Sequence, residues 1–217
     1  MKEVKEINDI PVRTVKRLSR YLHYLRYLKE ENVRNISSTF IGNELGLEAT
    51  QVKKDIQYTG ITGRPRTGYE VARLIDEIEL VLNWQVKKKA ILAGAGHLGS
   101  AMLGYEAFNR YGIDFLRAFD VDEKKIGKKI HGIEVMHIDE MSDFIRENEV
   151  KIGVLTVPAK NAQDTAMLMI EGGAKAIWNF VPYQLKVPEG IIVEHAQFSQ
   201  SLAVLTQKLS KIESREL

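Results

Sequence analysis

The chain has 217 residues, 44% of them hydrophobic and 28% charged, with no cysteine and a net charge of +2. That is an ordinary globular composition, and it excludes disulfides, thiolate metal sites and cysteine nucleophiles. The length allows one large domain or two small ones, and the charge favours two. Residues 1–69 carry 13 Lys and Arg against 8 Asp and Glu, whereas residues 70–217 carry 18 against 21, so only the first part is suited to a polyanion. No apolar run approaches the ~20 residues of a membrane span. Met1-Lys2-Glu3-Val4-Lys5-Glu6 leads into no apolar leader segment, so a cytoplasmic location is expected, with neither a membrane partner nor a metal.

From Val12 the apolar positions Val12, Val15, Leu18, Leu22, Leu25 and Leu28 recur at three or four residues, which predicts a helix with that face inward. Pro11 suits its start, and Arg13, Lys16, Arg17 and Arg20 make the opposite face basic. The run Ser37–Leu47 predicts a short helix capped by hydroxyls at Ser37 and Ser38 and closed by Gly46. A second short helix follows over about Thr50–Tyr58, with Val52 and Ile56 inward and Gln51, Lys53 and Lys54 outward. Together these give a helix-turn-helix pattern over about residues 18–57. The segment from Gly60 to Tyr69, with Arg64 and Arg66, is too rich in Gly and Pro for a helix and reads as the basic wing of a winged helix. The DNA contacts expected of this part are Arg13, Lys16, Arg17, Ser37, Ser38, Gln51, Lys53, Lys54, Arg64, Arg66 and Tyr69. The competing reading is a small helical dimerisation module with a solvated basic face. A linking helix with Val71, Leu74, Ile75, Ile78 and Leu82 inward leads to a boundary near Trp84–Val86.

Beyond Lys89 short apolar runs alternate with helical segments, the pattern of βαβ units and a parallel sheet. Strands are expected at Ala90–Ala93, Phe115–Phe119, Ile133–Val135, Ile152–Thr156, Ala176–Trp178 and Ile191–Glu194. Gly94-Ala95-Gly96-His97-Leu98-Gly99 follows the first of them and opens a helical pattern over Leu98–Asn109, the context in which a GxGxxG loop cradles a dinucleotide. Gly94 permits the turn, Gly96 the approach of the pyrophosphate and Gly99 close helix packing. About twenty residues beyond Gly99 the second strand ends at Asp120, placed for the adenosine ribose hydroxyls of NAD. Lys124 and Lys125 lie close enough to keep a 2′-phosphate in play, and Asp122 reads as a turn residue. Two further loops follow strands at the ligand end of such a sheet: Thr156, Val157 and Pro158, and Asn179 and Phe180 with Pro182. They either border the nicotinamide or are plain strand-to-helix turns. Glycines kept for packing alone remain the alternative to a cofactor.

The last segment places Phe198, Leu202, Leu205, Leu209 and Ile212 at helical spacing, a stripe that either finds a partner or packs on its own sheet. The architecture expected is therefore α/β, with a winged helix-turn-helix domain over residues 1–85. A Rossmann-type parallel-sheet domain follows over residues 86–196, and a terminal helix over residues 197–217.

The order of these parts resembles the redox-sensing repressor family Rex across nearly the whole chain. The resemblance is carried by Lys16-Arg17-Leu18, Ser37-Ser38, Gln51-Val52-Lys53-Lys54-Asp55, Gly68-Tyr69 and Gly94–Gly99 with Tyr105. It continues through Phe119-Asp120-Val121-Asp122 with Lys125-Ile126-Gly127, Leu155–Ala159 with Ala162-Gln163, and Asn179-Phe180 with Pro182. It implies a homodimer, joined by a subunit-exchanged terminal helix, that binds a palindromic operator in double-stranded DNA and releases it when NADH replaces NAD⁺. It also implies that Tyr105 and Phe180 lie near the nicotinamide and that Arg17 lies at the junction of the DNA-binding and cofactor domains. Arg17 and Tyr105 are thus expected in the switch, together with Gln197, which stands where the family usually has an aspartate. Further departures are Lys53 for an arginine, Thr59 for an aromatic residue, and a reordered wing. The alternatives are an NAD-binding dimer without regulated DNA binding and a small NAD-dependent dehydrogenase. Against the latter, no substrate domain and no His, Lys or Asp set for hydride chemistry is evident.

Overall fold

A computed structural model describes residues 10–196 and 198–214. They form two compact units that divide between Val86 and Lys87.

In the first unit, α1 (Val12–Glu30) begins after Pro11 and buries Thr14, Leu18, Tyr21, Leu22, Leu25 and Leu28. Val12 and Val15, expected inward, are exposed. The buried stripe steps alternately by four and three residues through Thr14, Leu18, Tyr21, Leu25 and Leu28, and its first turn presents the Thr14 hydroxyl to the buried Asp55 carboxylate rather than a valine to the core. β1 (Asn35–Ile36) precedes α2 (Ser38–Leu45), whose N-terminal amide at Phe40 donates to Ser37 Oγ at 3.1 Å. Gly46 ends α2 with φ +65°, a conformation that costs glycine little. α3 (Ala49–Gln57) then crosses close to α2: a Cβ on Gly42 would lie 2.5 Å from the Leu47 carbonyl. β2 (Tyr69–Glu70) pairs antiparallel with β1, and Arg64 and Gly68 exchange backbone hydrogen bonds at 2.7 and 2.9 Å, so the basic segment is a short hairpin. α4 (Val71–Val81) closes the core on Leu74, Ile75 and Ile78.

The second unit is a seven-stranded sheet. Its strands are β3 (Lys88–Ala93), β4 (Ile113–Asp120), β5 (Lys129–Ile130), β6 (Ile133–His137), β7 (Ile152–Leu155), β8 (Ala176–Asn179) and β9 (Ile192–His195), in the spatial order β5-β6-β4-β3-β7-β8-β9. All pairings are parallel except β5 with β6. Successive strand residues face opposite ways: Ile91 and Ala93 belong to one apolar layer with Phe119 and Leu155, and Leu92 to the other with Ala118, Val135 and Val154. α5 (His97–Leu103) contributes Met102 to the second layer, while α7 (Met141–Glu147) and α8 (Ala162–Gly172) cover the first. The helix expected over Leu98–Asn109 is broken, with α6 spanning only Ala107–Arg110. The break falls where Gly104 sits against the His131 ring, 2.7 Å from where its Cβ would be, and it leaves Tyr105 54% exposed. α9 (Phe198–Glu213) ends the described chain, with no buried residue.

Candidate dinucleotide and DNA sites

The sheet runs outward from β3 in both directions, to β4 on one side and β7 on the other, and ligands bind where strand order reverses in this way. The glycine loop leaves β3 at that point. The Gly94 amide donates to the Phe119 carbonyl at 2.8 Å, and the Thr156 amide to the Ala93 carbonyl at 2.9 Å. Thr156 Oγ1 lies 2.9 and 2.8 Å from the Ala93 and Gly94 carbonyls, so this hydroxyl closes the loop. Gly94 has φ +96°, and a Cβ there would lie 2.8 Å from the Val157 amide nitrogen; a Cβ on Gly99 would strike the Gly94 carbonyl oxygen and reach Leu92 at 2.9 Å. Gly96 differs from both, because a Cβ there meets nothing within 4 Å. Protein packing therefore explains two of the three glycines, while the third keeps a space clear at the start of α5. Ala95 and Val157 are buried; His97, Leu98 and Pro158 are exposed.

At the end of β4, Asp120 is largely buried, accepting from the Asp122 amide on Oδ1 and from Lys125 Nζ on Oδ2, both at 3.0 Å. Burial pulls its pKa upward, but these bonds outweigh burial and hold it below the usual carboxylate value. Asp122 accepts the Lys124 amide on its side chain and the Lys125 amide on its carbonyl, which makes it a turn residue. The glycine loop and an ionised carboxylate thus stand where a pyrophosphate and a ribose diol would be held, and the residues fit the dinucleotide.

On the far side, Tyr105 packs edge-on to Phe108 (5.2 Å between centroids), Phe108 to Trp178 (5.5 Å), Trp178 against Phe180 (4.6 Å) and Phe180 against Phe198 at the start of α9 (6.2 Å). Phe108 and Trp178 escaped the sequence reading, which had no means of bringing residues so far apart together. Asn179, expected beside the cofactor, is 1% exposed and engaged within its own loop: Nδ2 donates to the Tyr183 carbonyl at 3.0 Å, and Oδ1 accepts the Val181 amide at 2.9 Å. It shapes the loop that carries Phe180. Gln197 lies outside the described residues.

In the first unit Lys53 and Lys54 project from α3, Arg64 and Arg66 from the hairpin, and Arg13 and Lys16 from α1; all are exposed, and Arg66 has φ +65°. Ser37 is the cap of α2. Ser38 and Tyr69, expected at DNA, are instead buried: the Tyr69 ring fills the space beside Gly63 and packs in the core of the unit. Arg17, expected at a domain junction, is clamped on Asp55, with Nε to Oδ2 at 2.6 Å and Nη2 to Oδ1 at 2.8 Å. The same carboxylate accepts from Tyr21 at 2.7 Å, Gln51 at 3.0 Å and Thr14 at 3.2 Å. Burial opposes the Asp55 charge, yet these donors hold its pKa low, while burial and the bond to Asp55 push the Tyr21 hydroxyl up. Asp55 is named by the sequence only within the run that carries the resemblance, with no role of its own, because a single acid on a short amphipathic helix looks solvent-facing.

The two units define a class: a winged helix-turn-helix module joined to a parallel-sheet module of the dinucleotide-binding type. A family model described as "CoA binding domain" matches residues 85–183, and one described as "Putative DNA-binding protein N-terminus" matches residues 9–56. The "Redox-sensing transcriptional repressor Rex" of Treponema denticola is 44% identical over 175 residues, 81% of this chain and 83% of that one. Its namesake in Bacteroides thetaiotaomicron is 41% identical over 177 residues, 82% and 80% of the two chains. The chain belongs to the Rex family. Among solved structures, the repressor RSP in complex with NAD⁺ and operator DNA superposes with a TM-score of 0.87 at 35% identity, over 95% of each chain. RSP in complex with NADH gives 0.87 at 34%, over 96% of this chain and 98% of that one.

Proposed function

We propose that this chain is a redox-sensing transcriptional repressor, a homodimer that binds palindromic operator DNA through its winged helices and releases it when NADH replaces NAD⁺ in its sheet unit. The observation that carries this reading is the open space at Gly96 on the switch point of the sheet, in a chain whose other unit presents a basic helix and hairpin. The cofactor's contribution is a nicotinamide ring that is cationic and planar when oxidised and neutral when reduced. The chain's residues then have distinct tasks. The amides at the start of α5 face the pyrophosphate, Asp120 accepts from the ribose hydroxyls, and Tyr105 and Phe180 offer aromatic faces that interact unequally with a cationic and a neutral ring. Only such an inequality shifts a DNA-binding equilibrium, since a ligand with equal affinity for both states moves nothing. Coenzyme A, with a phosphate on its ribose, would meet a negative charge at Asp120.

The matched relatives are described as repressors, and we assign no catalysis to the chain. A repressor acts where its operator lies, so the cytoplasm is the location this reading assigns; no helix among the described residues is long and apolar enough to cross a membrane. The deciding measurement is a titration of a labelled palindromic duplex at fixed salt, alone and with NAD⁺ or NADH, since affinity for DNA depends on salt. Binding that survives NAD⁺ and is lost with NADH is expected. Absence of specific binding under every condition refutes the repressor reading; binding indifferent to NADH removes the sensor and leaves a DNA-binding protein.

A further inference from the structure

We propose that Lys125 is a 2′-phosphate acceptor held closed by Asp120 and Asp122, so that the preference for NAD(H) over NADP(H) depends on two carboxylates engaging one lysine. The inference rests on the dinucleotide reading above and deepens it. Lys125 Nζ lies 3.0 Å from Asp120 Oδ2 and 3.7 Å from Asp122 Oδ2. The turn that brings it there is fixed by one backbone bond and one side-chain acceptor: the Lys125 amide donates to the Asp122 carbonyl at 2.8 Å, and the Asp122 amide to the side-chain oxygen Asp120 Oδ1 at 3.0 Å. The ammonium is therefore tethered at the end of β4, beside the carboxylate that faces the ribose diol. Its side chain remains 32% exposed, against 10% for Asp120, so it stands at the outer edge of the subsite where an added phosphate would enter.

Charge decides the occupant. Two carboxylates and one ammonium leave the cluster net negative, and a phosphate monoester carries about −1.5 to −2 near neutral pH. As the pair stands, the phosphate is repelled and the diol accepted. An ammonium has three donors and suits phosphate as a point charge, so removing the Asp120 charge while an oxygen still accepts the Asp122 amide, as in D120N, converts the same turn into an anion site. If Lys125 were only a strut for the turn, removal of Asp120 would relieve repulsion but supply no attraction.

The test is a fluorescence titration of the full chain with NADH and with NADPH, for the wild type, D120S, D120N, D120S/K125M and K125M. In D120S, NADH binding is expected to weaken about tenfold through the lost ribose bonds, and NADPH binding to strengthen by about tenfold or more. D120N, which keeps the side-chain shape, is expected to move the same way by less. D120S/K125M should lose the NADPH gain while matching D120S toward NADH, and K125M alone should shift preference further toward NADH. The gain in D120S should also shrink as salt is raised. The inference is overturned if D120S and D120N bind NADH but gain nothing toward NADPH, or if the double variant keeps the gain. A wild type that binds neither cofactor is a different result, and overturns the dinucleotide reading together with this one.

Discussion

A carboxylate taken out of water needs a counter-charge and hydrogen bonds in its place, and Asp55, 1% exposed, has both in Arg17, Tyr21, Gln51 and Thr14. Because three of these partners lie on α1 and Asp55 on α3, the cluster fixes the helix that carries Lys53 and Lys54 against the body of its unit. D55N is expected to cost the first unit about 3 kcal/mol, the scale for breaking a buried pair, in urea titrations of the full chain at pH 7. NADH affinity should be unchanged, and DNA binding weakened. The pH dependence has a definite sign. A carboxylate with a lowered folded pKa stabilises above its unfolded value, near 3.9, and loses that contribution as pH falls through the folded value. The gap between wild type and D55N should therefore persist down to about pH 4 and narrow below it. A gap independent of pH between 3 and 7 would show that the Asp55 charge contributes nothing.

At the scale of elements, the glycine loop separates packing from ligand binding. G99V drives a side chain into Gly94 and Leu92 and should destabilise the sheet unit, whereas G96V extends into open space and should leave the thermal midpoint unchanged while abolishing NADH binding. A fall in the G96V midpoint comparable to that of G99V would contradict the cradle. On the DNA side, each phosphate contact contributes roughly 0.9 to the slope of log affinity against log salt. K53A and K54A should each lower that slope by about that amount; R17A should weaken binding with the slope intact, because that guanidinium is committed to Asp55. The parallel sheet was legible because buried strands are short apolar runs, and the loop because its glycines follow one of them. The break after α5 was not legible: it depends on Gly104 meeting His131, a contact made only when β5 and β6 have folded back. Nor was the burial of Tyr69, since an aromatic residue after a basic segment reads equally well as a surface contact.

For the whole molecule, the feature of most consequence is α9, whose Phe198, Leu202, Leu205, Leu209 and Ile212 are each more than half exposed. An apolar stripe of this length loses its exposure through association, which matches the homodimer proposed above. L205E should convert the assembly to monomers in sedimentation experiments at micromolar concentration; a dimer that persists would place the interface elsewhere. The aromatic chain has a separate, optical consequence. Trp178 stands between Phe108 and Phe180, whereas Trp84 is half-buried against the core of the other unit, and the sequence holds no further tryptophan. A W84F chain would carry one indole beside the proposed nicotinamide pocket. Reduced nicotinamide absorbs where indole emits, so loss of that emission would report occupancy by NADH directly, with no added dye.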